Sequence, residues 1–208
     1  MGTDCSGLPL NVNDNTKTKR SSMNSCEPKV YSFSSDTTVT QQTSANCEAQ
    51  YVIRAAQVEQ LDVLNELLCA LHEEHHSKSP CTFKSGKDAV KAKDIAYYLV
   101  EPNHFVYAAI HSNQIVGFIT GRVYILKSAA LQSNCVGNID EIYTLPKFRR
   151  LGIAQALVRR LETSFLQHGA THAYLDVWAQ NKPALSFYAM QSFTSHTYSL
   201  KKVLVDQP

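Results

Sequence analysis

The stretch "LPKFRRLGIAQALVRRLETSFLQHG", residues 145–169, follows the apolar run "GNIDEIYT" and changes its period within a few residues. Ile153, Leu157, Leu161 and Phe165 recur at helical spacing, and Gly169 supplies a C-terminal stop. A strand ended by Pro146 therefore runs into an amphipathic helix. Between the two lies Arg149-Arg150-Leu151-Gly152-Ile153-Ala154. A helix start exposes successive N–H groups that no carbonyl of the helix can accept, and the helix dipole adds positive potential there. Such a turn can hold a pyrophosphate, because Gly152 and Ala154 are small enough to let phosphate oxygens reach the amides. It is neither G-x-x-x-x-G-K-[ST] nor G-x-G-x-x-G, so readings as a nucleoside triphosphatase or NAD enzyme lose their support.

The elements on either side complete one unit. "YVIRAA" reads as a strand, and Leu61, Leu64, Leu68 and Leu71 mark a helix. "KDAVKAKDIAYYLV" reads as a second helix stopped by Pro102, and "HFVYAAI", "HSNQ" and "IVGFITGRVYI" as a hairpin. Beyond the long helix, "HAYLDVW" is a strand, "KPALSFYAM" a short helix and "TYSLKKVLV" a closing strand. The order β-α-α-β-β-β-α-β-α-β predicts a single mixed-sheet α/β domain over residues 51–206. Residues 1–50 differ: twenty-three of them are Ser, Thr, Asn or Gln, and their apolar residues follow no period. Such a segment cannot bury enough to offset its ordering entropy and reads as a disordered tail.

The domain resembles the GNAT superfamily of N-acetyltransferases. Its R/Q-x-x-G-x-G/A motif matches Arg149, Gly152 and Ala154, and its N-x-x-A-x-x-x-Y spacing falls on Asn181, Ala184 and Tyr188. The resemblance implies acetyl-CoA as co-substrate, held in a wedge between splayed parallel strands, here "DEIYT" and "YLDVW". The backbone of Ile142, Tyr143 and Thr144 would pair with the pantetheine arm. The amides of Arg149, Arg150, Leu151, Gly152, Ile153 and Ala154 would take the pyrophosphate, and Asn181 would contact the arm. Tyr188 would protonate the departing thiolate, with direct transfer and no covalent enzyme intermediate. The matching chain positions depart from the pattern in three places: Thr144 where valine is common, Ala154 where glycine is common, and Ser192 where a glycine usually precedes the phenylalanine. Ser192 would tolerate a left-handed backbone poorly, so the turn after the last helix is expected to differ.

Acyl transfer to an amine needs a proton acceptor, since an alkylamine is mostly protonated at neutral pH. Glu141 is the favoured base, with Asp140, Asp176 and a water relay as alternatives. Strand alternation sends Asp140 and Glu141 to opposite faces, so one of them faces the acceptor. The oxyanion would lean on a strand amide near Ile142 or Thr144.

One other motif competes. His72-Glu73-Glu74-His75-His76 satisfies H-E-x-x-H, the zinc peptidase pattern. Ser77, Lys78 and Pro80 end the helix at once, and no third ligand is apparent, so no metal is expected. His75 and His76 read instead as bordering the acceptor pocket, where Glu73 and Glu74 would attract a cationic amine.

Composition excludes several classes. A net charge of +2, with 18% charged residues, provides no footprint for nucleic acid. Six cysteines contain no C-x-x-C pair, which removes zinc knuckles and thioredoxin-like dithiols. No secretory leader or membrane-spanning run is seen, so a cytoplasmic location is expected. "MGTDCS" fits the myristoylation template at Gly2, but no polybasic cluster follows to support stable membrane association. The expected partner is a small-molecule amine acceptor, with a homodimer as an option because many relatives dimerise. The alternatives are an acyl-CoA-binding regulatory module without turnover, and an acetyltransferase for protein N-termini or lysines.

Overall fold

A computed structural model describes residues 51–93 and 95–204. The Ser/Thr/Asn/Gln-rich segment 1–50 lies outside them, as does the end of the expected domain. Five strands, β1 (Tyr51–Ala55), β2 (His104–His111), β3 (Gln114–Leu126), β4 (Asn134–Thr144) and β5 (His172–Leu175), form one sheet in the order β1-β2-β3-β4-β5. Neighbours are antiparallel except β4 and β5, which run parallel. The helices are α1 (Leu61–Lys78), α2 (Gly86–Ala92), α3 (Ile95–Val100), α4 (Ile153–Gln167) and α5 (Lys182–Met190).

Both faces of the sheet are covered, which is why β2 and β3 read as continuous apolar runs rather than alternating ones. On one face Ile153, Leu157, Leu161 and Phe165 of α4 are buried against Tyr107, Ala109, Val116, Ile119 and Ile139. On the other, Leu64, Leu67 and Leu68 of α1, with Ile95 of α3, meet Val106, Ala108, Ile115 and Phe118. The expected hairpin closes through Ser112 and Asn113, both with positive φ (46° and 62°), the two-residue turn that matches strand twist.

α4 approaches the sheet closely because β4 carries glycine beneath it. A Cβ on Gly137 would lie 2.2 Å from the buried Phe165 ring. The helix ends as Gly169 implies: at φ 80° its N–H donates to the Leu166 carbonyl, and that of Ala170 to the Phe165 carbonyl.

Three expectations are corrected. The helix expected over 87–100 is two helices, broken where Lys93 takes an extended conformation (φ −120°, ψ 120°). The closing strand does not form among the described residues 194–204, where Tyr198, Leu200 and Leu204 are largely exposed. Its alternation fails at Lys202, so neither face offers a continuous apolar row. The turn after α5, expected to differ, keeps the left-handed form: Ser192 has φ 66°, its N–H donates to the Ala189 carbonyl, and that of Phe193 to the Tyr188 carbonyl.

Candidate active site

The site begins with a defect in β4. Ile139 pairs with Gly121 and Glu141 with Thr120, leaving Asp140 as the extra residue of a β-bulge. The bulge bends β4 where its parallel pairing ends, at Ile139 and Leu175. Beyond that point β4 continues to Thr144 alongside β3, with its other edge open. The Glu141 N–H donates to the Thr120 hydroxyl and the Leu145 N–H to the Val116 carbonyl, both on the β3 side. By alternation the N–H groups of Ile142 and Thr144 face the opened edge. The Thr144 carbonyl on that edge accepts a hydrogen bond from Arg149 Nε at 3.0 Å.

The loop after β4 is the candidate anion cradle. Arg150 (φ 66°) and Gly152 (φ 78°) are both left-handed, and Gly152 is the N-cap of α4. Alternating hand in successive residues turns neighbouring N–H groups toward one centre, and the first turn of α4 adds its own orphan donors. Arg149 differs from the expectation: its N–H donates to the Pro146 carbonyl within a short 3-10 turn. Its guanidinium is held by Glu74 and lies over the Tyr143 ring. The residues free to serve an anion through their amides are therefore those from Arg150 to Ala154.

The bulge also overturns the expected separation of the two carboxylates. Both lie on the Lys93 side of the sheet: Glu141 lines a cleft of about 430 Å³ with Lys93, Tyr97, Tyr98, Thr120 and Arg122, and Asp140 sits behind that wall, against Tyr98 and Arg122. Asp140 takes a hydrogen bond from the Asn138 amide at 2.8 Å and lies 3.4 Å from the Arg122 guanidinium. Burial and the neighbouring Asp140 charge push the Tyr98 hydroxyl up to about 12. Glu141, 14% exposed, meets the Lys93 ammonium and lies 3.6 Å from His72 Nε2. Asp176, the third candidate, is exposed just past the end of β5.

The H-E-E-H-H run is divided among separate tasks. His72 faces Glu141; burial, then the Lys93 charge, lowers its pKa below the usual imidazole value. Glu73 accepts from the Gly86 N–H at the start of α2. Glu74 accepts from the Tyr143 hydroxyl at 2.8 Å and binds Arg149. His75 meets the Phe83 ring, which in turn meets Trp178 beyond β5. His76 Nδ1 lies 2.8 Å from the Phe83 carbonyl. No group of three or more His, Cys, Asp or Glu among the described residues is arranged to hold a metal ion. The expectation that His75 and His76 border the pocket gives way to His72, the residue in contact with the candidate base. Lys93, Tyr98 and Arg122 were missed because neither spacing nor motif marks them.

On α5, Asn181 caps the helix, its side-chain oxygen accepting from the Ala184 N–H at 3.4 Å. Tyr188 is 8% exposed, packed against Phe187 and Phe193, and burial pushes its hydroxyl up to about 12. It keeps its proton throughout the neutral range.

Beyond Ile139, β4 thus runs free of its parallel neighbour and ends at a helix capped by Gly152. The Acetyltransferase (GNAT) family pattern matches residues 68–193, and the chain belongs to that family. An acetyltransferase structure from Vibrio fischeri is 35% identical over 61% of this chain and 96% of its own, with a TM-score of 0.52. An aminoglycoside N-acetyltransferase in complex with CoA has a TM-score of 0.58 at 15% identity, covering 74% of this chain and 94% of its own. A transcriptional regulator from Bacillus halodurans also has a TM-score of 0.58, at 20% identity over 74% of this chain and all (100%) of its own. These last two share the fold. No curated protein matches the chain significantly. Among the described residues no helix is long and apolar enough to cross a membrane.

Proposed function

We propose that the protein transfers the acetyl group of acetyl-CoA directly to a primary amine, with a cationic small molecule as acceptor. The observation that carries this reading is the opened edge of β4, which begins at a bulge whose Glu141 lines a cleft. An unpaired strand edge suits the amides of a pantetheine arm, which would add to β4 along Ile142 to Thr144 as an extra strand does. The left-handed pair Arg150 and Gly152, followed by the start of α4, suits a pyrophosphate. An aminoglycoside acetyltransferase of the same fold has been solved in complex with CoA, in keeping with a CoA co-substrate.

In this reading Glu141 accepts the proton of the incoming ammonium. His72, kept largely neutral by burial, sits beside it without adding a second positive charge. Whichever of the Ile142 and Thr144 N–H groups the pantetheine arm leaves unpaired can serve the oxyanion. Tyr188 holds the proton that the leaving thiolate needs. Glu141 and Tyr98 give the cleft polar walls suited to a cation.

Thiol release from acetyl-CoA against a panel of polyamines, aminoglycosides, amino acids and peptides tests the reading. Release that depends on a small cationic amine is the expected result. Release with peptides alone would move the acceptor to protein amines. Tight CoA binding with no release on any amine would favour a regulatory module.

A further inference from the structure

The cleft already contains an amine. Lys93 stands at the break between α2 and α3, and its side chain reaches across to Glu141, which is 48 residues away in sequence. The ammonium therefore rests on the carboxylate to which an acceptor would deliver its proton. Asp140 lies on the same bulge and its charge acts on Lys93. The Lys93 side chain borders the cleft with Tyr97, Tyr98 and Thr120 and is 51% exposed, against 80% for Lys91. The break in the helix gives the lysine this reach: its φ and ψ are extended where α2 would otherwise continue.

Resting on the acetyl-transfer reading above, we infer that Lys93 is an acceptor built into the chain and is acetylated in cis when acetyl-CoA is bound and no substrate amine is present. The ammonium gives one proton to Glu141, and the freed lone pair attacks the thioester carbonyl. The C–N bond forms, the C–S bond breaks, and the sulfur leaves as thiolate. The nitrogen loses a second proton as the adduct collapses, and the thiolate takes one. One amide and one thiol result, with a single net proton released from Glu141 to solvent and no redox change. Burial already lowers the Lys93 pKa below that of an ordinary lysine, which eases the first step. A substrate amine has to displace Lys93 from Glu141, so acetylation of Lys93 and turnover of substrate compete for one carboxylate.

The test uses the full chain with isotopically labelled acetyl-CoA and no added amine, read by peptide mass spectrometry over time. The expected result is one acetyl group on Lys93, gained about tenfold or more faster than on exposed Lys91, with a first-order rate independent of protein concentration. A saturating cationic amine that is turned over should slow the labelling, and Glu141→Gln should slow it by about 10²-fold or more. Labelling of Lys93 no faster than Lys91, in protein that binds CoA and acetylates an added amine, overturns the inference while leaving the transfer reading intact. A rate proportional to protein concentration overturns the cis step. Protein that neither binds CoA nor acetylates any amine loses both, and a CoA titration run alongside separates this case from the first.

Discussion

Ser192 occupies a backbone conformation that glycine adopts at little cost and other residues adopt at about 1–2 kcal/mol. It is held there because its N–H and that of Phe193 satisfy the last carbonyls of α5, while Phe193 packs against the Tyr188 ring. Ser192→Gly removes the strain and adds chain entropy to the unfolded state, so the net gain is about 1 kcal/mol, or a few degrees in a thermal melt. A lower Tm would mean that the serine side chain contributes something beyond the turn. At this scale the sequence was partly legible. Gly152 and Gly169 stand at the two ends of α4 as the letters imply, because a small residue and a left-handed stop have few other uses at a helix boundary. His72 and His76 of the histidine motif share a helix face, but one is committed to Glu141 and the other to the carbonyl of Phe83.

At the scale of elements, α4 and β4 position the site together. Leu161 and Phe165 can approach β4 only because Gly121 and Gly137 carry no side chain. Gly137→Ala places a methyl inside the Phe165 ring's contact distance, so α4 has to shift or the strand has to bend. A loss of about 1–3 kcal/mol is expected in denaturant unfolding, with the anion cradle at the other end of α4 weakened as the helix moves. Unchanged stability would show that α4 docks with slack. Strands and helices with strong periods were readable, whereas the bulge at Asp140 and the break at Lys93 were not. Both depend on what lies opposite: Thr120 and Gly121 set the bulge through their pairing, and Lys93 leaves the helix toward a carboxylate supplied by a distant strand. Alternation counted along β4 alone therefore separated two carboxylates that the folded strand brings to the same side, beside Lys93.

For the whole molecule, acidification is the informative variable. Burial is the main cause lowering the pKa of both His72 and His75, with Lys93 acting on each and Glu74 partly opposing the shift at His75. The unfolded chain then binds protons that the folded chain does not, so stability is retained above the ordinary imidazole pKa of about 6.5 and lost as pH falls below it. The fall in Tm between about pH 7 and pH 5 should be shallower in His75→Gln than in wild type. Equal slopes would remove His75 as a contributor. Glu74 has a wider reach than stability. It binds Arg149 and Tyr143 next to the candidate anion loop, and it stands one residue from His75, which lies against the ring of His72 beside Glu141. In the proposed reaction an anion that drew on Arg149 would loosen Glu74, and α1 would carry that change toward Glu141. The affinities of the two substrates are then expected to be coupled, each altering the other by the same factor through thermodynamic reciprocity.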